Sequence, residues 1–498
     1  MNATLTLTRR YLTEYARRPI NLVLLVVVPL IFVTLAAGAI ADFAEVVGGL
    51  GDQDQLAAPT AGWAAGFIAG VAGLFHVLGS RRADRRLTLA GMGAARITVA
   101  RLLSGVVLAV LAAVSAIGAL ALRTGMVDPV RTSIGTLMFG LLYLGLGVGI
   151  GAFVRNDVNG SLGVIFIWML DVFLGPAMAG SDVWITRVFP SHYLTLLVLD
   201  AESGHSGPIG DLGWALVWTL GSIAIAALVF ATATGRIGDL RTRSRSGWSR
   251  VRAGFRFGFR DYRRNVAMWV LLVFLPVFFI TLSFWITPDE PTPVELTNDG
   301  VQQIEIVSMI DVHGAIMVPI TIAFLAGLAG LFVVQGSMQA DARLALAGFK
   351  TREILTARFG VIAIAALLTT GVSLAVTSVD FAAERWIGFM GGNILVALIY
   401  GMLGVLVGAV FGRLGGLYVM FLLPFIDVGL AQNVMFSASP PDWGLFLPAR
   451  GAVKILTDAA FTTTFDQTSS LVLTAAWLVG IGVTTAVVFG RIARPKSV

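Results

Sequence analysis

The chain has 498 residues, 57% of them hydrophobic and only 13% charged, with a mean hydropathy of +0.85; that balance excludes an ordinary soluble domain and leaves little room for one beside the apolar runs. There is no cysteine, so neither a disulfide framework nor a thiolate metal site is available, and His76, His192, His205 and His313 are too scattered for metal-ligand spacing. The formal charge of +6 is concentrated in a few short arginine-rich loops, which points to membrane topology and not to a nucleic-acid partner.

The first residues, MNATLTLTRRYLTEYARR, are amphipathic and run into an apolar stretch with no small-residue cleavage site, so they predict an interfacial helix leading into a permanent span and not a signal peptide. Crossing the hydrocarbon takes about 20 predominantly apolar residues. Runs of that length predict spans near 20–40, 62–80, 101–123, 132–154, 158–178 and 211–234, then near 266–286, 314–336, 357–379, 389–411, 414–434 and 468–490. The expected fold is therefore an all-α membrane protein of twelve transmembrane helices.

Alternate loops differ in sign. Arg17 and Arg18, then Arg81, Arg82, Arg85 and Arg86, then Arg155, then ten arginines within 235–264 mark the cytoplasmic side by the positive-inside rule. The loops 41–61 and 287–312 carry aspartate and glutamate without lysine or arginine and are expected outside. Arg491, Arg494 and Lys496 return to the basic side, so both termini are expected in the cytoplasm.

The chain resembles itself. ADRRLTLAGMGAARITVARL at 83–102 lies over ADARLALAGFKTREILTARF at 340–359 without a gap, pairing Asp84 with Asp341, Leu87 with Leu344, Gly91 with Gly348 and Arg101 with Arg358. The same spacing pairs Tyr143 with Tyr400 and Gly147 with Gly404, and one residue of slippage brings Asp171 onto Asp427. Two six-span halves, 1–234 and 265–498, follow, joined by the basic linker 235–264. Because each half has an even number of spans, the two share one orientation, which implies a pseudo-two-fold axis along the membrane normal. Within the linker Trp248, Val251, Phe255, Phe259 and Tyr262 fall at helical spacing among arginines, as in an interfacial amphipathic helix; a solvated basic linker is the alternative.

No Walker A loop is visible, since Lys350, Lys454 and Lys496 all lack its glycine context. The chain is therefore expected to be a transport component and not an enzyme. The repeated segment between the second and third spans suits docking: Leu87, Leu89 and Ile97, with Leu344, Leu346 and Ile354, form an apolar ridge flanked by charge. A topology anchor accounts for the arginines but not for Leu-x-Leu-Ala-Gly appearing twice. Asp171 and Asp427, ionisable groups inside apolar runs, are candidates for a substrate gate or proton relay, or for caps accepting backbone N–H bonds from the segment that follows. Tyr143 and Tyr400 are further pathway candidates. His76 aligns with Val333 and is expected to make a local hydrogen bond.

The arrangement resembles the ABC-2, or type V, family of exporter permeases, here as two permease units in tandem, similar to exporters of drugs and polyether antibiotics. The resemblance implies an interfacial helix before the first span of each half, coupling helices at 81–98 and 338–355, and re-entrant segments at 179–205 and 436–462, where Phe189-Pro190 and Leu447-Pro448 interrupt apolar sequence. It assigns ATPase coupling to Asp84, Leu87, Leu89, Gly91, Asp341, Leu344, Leu346 and Gly348. It further implies two copies of a separate ABC ATPase that bind ATP and Mg2+, no cofactor in this chain, a hydrophobic or amphipathic small molecule as cargo, and a multi-pass position in the plasma membrane. A proton-coupled transporter of the major facilitator type shares the span count, but GSRRADRRLTLAG matches that family's second loop only at Asp84-Arg85.

Overall fold

The computed structural model describes residues 2–46, 53–154, 156–179, 184–199, 211–233, 266–298, 300–346 and 351–492. The chain divides into two compact units, Met1–Thr242 and Arg243–Val498. Among the described residues, nine helices are long and apolar enough to cross a membrane, and the protein is a multi-pass membrane protein.

The first unit opens with α1 (Asn2–Ala16), followed by α2 (Pro19–Val46), the short α3 (Gln53–Ala57), α4 (Pro59–Leu78), α5 (Arg81–Leu89), α6 (Ala94–Arg123), α7 (Pro129–Phe153) and α8 (Asp157–Phe173). A single turn α9 (Pro176–Ala179), the short α10 (His192–Val198) and α11 (Leu212–Ala233) complete it. Local chemistry sets several starts. Proline opens α4 and α7, where its missing N–H costs nothing, and Asp128 caps α7 by accepting from the Arg131 amide at 2.9 Å. Asn156 caps α8 in the same way through the Val158 amide at 3.0 Å. With no water in the hydrocarbon, every backbone polar group must be met within its own segment, and long apolar helices do that.

The second unit contains α12 (Val266–Ile286), the strands β1 (Pro291–Asn298) and β2 (Val301–Ser308), α13 (Met309–Leu346), α14 (Thr351–Thr377), α15 (Trp386–Pro424), α16 (Arg450–Phe461) and α17 (Thr468–Ile492). The twelve expected spans map onto this set with one difference of length: the run expected at 158–178 is the 17-residue α8. The run at 266–286 is the apolar helix α12. The two runs at 389–411 and 414–434 are two helical arms within Trp386–Pro424 that meet at Gly412, whose φ of 72° and ψ of −163° are not helical, a conformation that costs glycine little. The far end of the second arm widens into a π-helical turn over Phe425–Ala431, just after Pro424, whose ring cannot continue regular helical bonding.

The acidic loop at 287–312 is not irregular. It carries a two-stranded antiparallel hairpin with Val294 opposite Glu305 and Leu296 opposite Gln303, closed at Gly300 with φ 78°. The hairpin is fastened to α16 and to the chain before it: the Glu295 amide donates to the Ala438 carbonyl at 3.2 Å, and Lys454 Nζ, on α16, lies 3.8 Å from Glu295 Oε1. Among the described residues the fold is otherwise helical.

Small residues hold each core together, as they do where lipid supplies no hydrophobic drive between helices. In the first unit α4 packs along α7 with Gly62 under the Phe139 ring, Gly66 under Tyr143, and Gly147 directly against the Gly70 carbonyl. In the second, α13 packs along α15 with Gly404 directly against the Gly327 carbonyl. Gly70 and Gly327, like Gly147 and Gly404, are 257 positions apart, so the sequence spacing recurs as a packing contact.

Candidate functional site

Two arrangements of ionisable side chains stand out, at opposite ends of the helices. The first joins α7, α8 and α10. Tyr143, on α7 and 1% exposed, donates its hydroxyl to Asp171 Oδ2. Asp171, on α8 and equally buried, also accepts from the Ser191 amide at 3.4 Å, and Ser191 is the residue that precedes α10. In the second unit the Tyr400 hydroxyl donates to Asp427 Oδ2 at 2.8 Å, and the Ala449 amide donates to the same oxygen at 2.8 Å. Ala449 precedes α16 as Ser191 precedes α10. Each carboxylate therefore meets the N-terminus of a short helix following the Phe-Pro or Leu-Pro break, where unsatisfied amides and the helix dipole favour an anion. Burying such a group is costly without partners; here each has a phenol and a backbone amide.

The second arrangement belongs to the first unit and ties α5 to α1 and α6. Arg101 binds Asp84 through both guanidinium arms, Nη2 to Oδ1 at 2.8 Å and Nε to Oδ2 at 3.1 Å. Ser80 Oγ donates to Asp84 Oδ2 at 3.0 Å, and the Tyr11 hydroxyl to Oδ1 at 3.3 Å. The Arg101 guanidinium also stacks on the Tyr11 ring, 3.5 Å from its centroid. Burial pushes the Tyr11 hydroxyl up to about 12, with Asp84 adding to the shift and Arg101 opposing it, so it stays a donor. His76 sits beside this cluster, sharing a 2.7 Å hydrogen bond with Ser104. Next to it, Arg81 closes the end of α7 by donating to the carbonyls of Gly151, Ala152 and Val154. In the second unit the Gln335 amide reaches the Gly408 carbonyl, the position that matches Gly151 in the repeat.

The expected coupling residues are separated by this geometry. Segment 81–98 is not one helix: α5 ends at Leu89, and a turn with Gly91 at φ 88° leads into α6. Asp84 is wholly buried, Ile97 is buried, and Leu87 packs against Leu7, Tyr11 and Ala100. Only Leu89, 76% exposed, and Gly91, with nothing within 4 Å of a Cβ, face away from the protein. The apolar ridge of Leu87, Leu89 and Ile97 is thus divided, because Leu87 and Leu89 stand on α5 while Ile97 lies beyond the Gly91 turn on α6. In the second unit α13 runs through Asp341, Leu344 and Leu346 as unbroken helix; only their backbone is described, and Gly348 and the linker helix at 248–262 lie outside the described residues.

Residues 62–236 match the family model described as ABC-2 family transporter protein. No curated protein matches the chain. The matched segment begins in α4 and takes in α5 through α11, so it contains Asp84, Arg101, Tyr143, Asp171 and Ser191. The match supports an ABC-2 type permease, a membrane transport component that works with ATPase subunits.

Sequence reasoning passed over Arg101, Tyr11 and Ser80 as site residues. Arg101 carried a signal, since it pairs with Arg358 in the repeat and stands at the mouth of an apolar run. Tyr11 carried none, because its contact with Asp84 spans 73 residues.

Proposed function

We propose that the chain supplies both membrane halves of an ATP-driven exporter, with permease halves at 1–234 and 265–498 joined by 235–264. Two copies of a separately encoded ABC ATPase, binding ATP and Mg2+, drive it from the cytoplasm. The cargo is a hydrophobic or amphipathic small molecule, drug-like or antibiotic-like, and the site of action is the plasma membrane with both chain termini cytoplasmic. The observation that carries the reading is the family match over residues 62–236, which includes a short, basic helix at the place where a coupling helix belongs.

The geometry of α5 suits that role. A docking helix must pass force to the spans and must not simply bend, and a buried bidentate arginine–carboxylate pair is a stiff connection. Leu89 and Gly91 offer the partner a surface, while Asp84, Arg101 and Tyr11 carry displacement of α5 into α6 and α1. Asp84 then acts in coupling from within, without touching the ATPase. By the repeat, Asp341, Leu344, Leu346 and Gly348 serve the second ATPase copy.

The test is purification of the tagged full chain in mild detergent from its native host, with mass spectrometry of what accompanies it. A stoichiometric partner of about 30 kDa bearing a Walker A loop, lost on Leu89→Asp, is the expected result. A chain that purifies alone and moves cargo on a proton gradient overturns the reading in favour of a secondary transporter, with Asp171 and Asp427 as its coupling residues.

A further inference from the structure

The short helices α10 and α16 are held at both ends. At the N-terminal end stand Asp171 and Asp427, as described. At the C-terminal end stands an arginine from the start of the helix that also carries the tyrosine. In the first unit Arg131, the third residue of α7, donates through Nε to the Leu197 carbonyl at 2.6 Å and through Nη2 to the Leu196 carbonyl at 3.5 Å. In the second unit Arg385, immediately before α15, donates through Nε to the Thr462 carbonyl at 2.9 Å and through Nη2 to Asp458 Oδ2 at 2.6 Å. The amides of Glu384 and Arg385 complete the last turn of α16 through the carbonyls of Ala460 and Ala459, at 3.1 and 2.9 Å. A carboxyl group thus meets the N-terminus and a guanidinium the C-terminus of each short helix.

The two arginines are not repeat partners. At the 257-residue spacing Arg131 falls on Gly388, three positions after Arg385. The displacement follows from length. α10 has 7 residues and α16 has 12, about 10 and 18 Å at the rise of an α-helix. The helix supplying the arginine and the tyrosine separates them by twelve residues in the first unit and fifteen in the second, about 18 and 22 Å. The longer short helix has the more widely spaced pair. An arginine thus reaches the C-terminal end of each short helix from a different sequence position.

We infer that Arg131 and Arg385 are positioning residues that, together with Asp171 and Asp427, clamp α10 and α16 against the spans, and that this clamp is the latch of the outer gate. The inference rests on the exporter reading for the word gate, and on the geometry alone for the clamp. Movement of either short helix away from its span requires release of a guanidinium from the Leu196 and Leu197 carbonyls in the first unit, or from the Thr462 carbonyl and the Asp458 carboxylate in the second.

The chain has no cysteine, so single reporters can be placed without background. Thr195→Cys in α10 and Thr457→Cys in α16 lie at buried positions, and Ala112→Cys in α6 is a buried control far along the chain. Each is labelled in the full-length chain, in liposomes without nucleotide, by a membrane-impermeant methanethiosulfonate carrying trimethylammonium. Arg131→Gln should raise the labelling rate of Thr195→Cys about tenfold or more, and Arg385→Gln that of Thr457→Cys, with Arg131→Lys and Arg385→Lys returning most of the protection and Ala112→Cys unchanged throughout. Unchanged rates in the glutamine variants overturn the clamp. So does an equal rise at Ala112→Cys, which would mark general loosening. Because no ATPase takes part, these outcomes are independent of whether one co-purifies.

Discussion

Arg101 grips Asp84 with two charge-assisted bonds, 2.8 and 3.1 Å, and the two side chains are 5% and 0% exposed. Removing one member leaves the other charged and buried, which costs about 3–5 kcal/mol, whereas replacing both by apolar groups is often close to neutral. Asp84→Leu should therefore lower the melting temperature of the detergent-solubilised chain markedly, and Asp84→Leu with Arg101→Met should recover most of it. A double variant no better than the single one would show that the remaining partners, Tyr11 and Ser80, dominate.

Leu87 and Leu89 stand two residues apart on α5 and should respond oppositely to aspartate. Leu89 is largely exposed and Leu87 packs into the core. Leu89→Asp should leave folding intact and remove the ATPase from the purified complex. Leu87→Asp places a carboxylate against apolar side chains at a cost on the order of several kcal/mol and should reduce the yield of folded chain. Size-exclusion profiles together with ATPase recovery separate the two; a folded, ATPase-bound Leu89→Asp chain would move docking elsewhere.

Gly147 and Gly404 leave no space for a methyl group beside the opposing backbone, whereas Gly118 on α6 has nothing within 4 Å. Gly147→Ala and Gly404→Ala force α4 from α7 and α13 from α15, with an expected loss of about 1–3 kcal/mol or more. Gly118→Ala should be neutral or stabilising by roughly 0.5–1 kcal/mol, since alanine loses less conformational freedom in a helix. Thermal melting of the three variants is the measurement.

Asp427 accepts from both a phenol and a backbone amide. Asp427→Asn retains an oxygen acceptor and should cost less than Asp427→Leu, which strands the Tyr400 hydroxyl and the Ala449 amide; each stranded group costs about 1–3 kcal/mol. Tyr400→Phe should fall between them. If the leucine variant melts no earlier than the asparagine variant, the carboxylate is not what secures the start of α16.

Tyr11 gives a pH dependence. Its hydroxyl is raised from 10.0 to about 12 in the folded chain, so between those values the folded state holds a proton that the unfolded state has released, and stability falls as pH rises. Melting should drop from pH 10 upward, less steeply in Tyr11→Phe.

The hairpin at 291–308 was legible and passed over: alternating apolar residues flank Asn-Asp-Gly in VELTNDGVQQIEIV, a strong local turn signal. Its acidic residues drew attention to sidedness instead. The break between α5 and α6 was visible too, as Gly91 and Gly93, but a repeat of helical pattern on either side concealed it.

The sequence by itself determined the helical membrane architecture, the positions of the apolar runs and the 257-residue correspondence, because hydrocarbon imposes length and apolarity on each span separately and duplication leaves a direct trace. The tertiary structure alone decided that Asp84 faces Arg101 and Tyr11, and that Asp171 and Asp427 meet helix N-termini. It also decided that Arg131 and Arg385 reach the opposite ends of those helices from positions that do not correspond in the repeat. Those contacts join residues 17 to 77 positions apart, and each is chosen by which helix faces pack together, a property of the assembled bundle that no single segment carries.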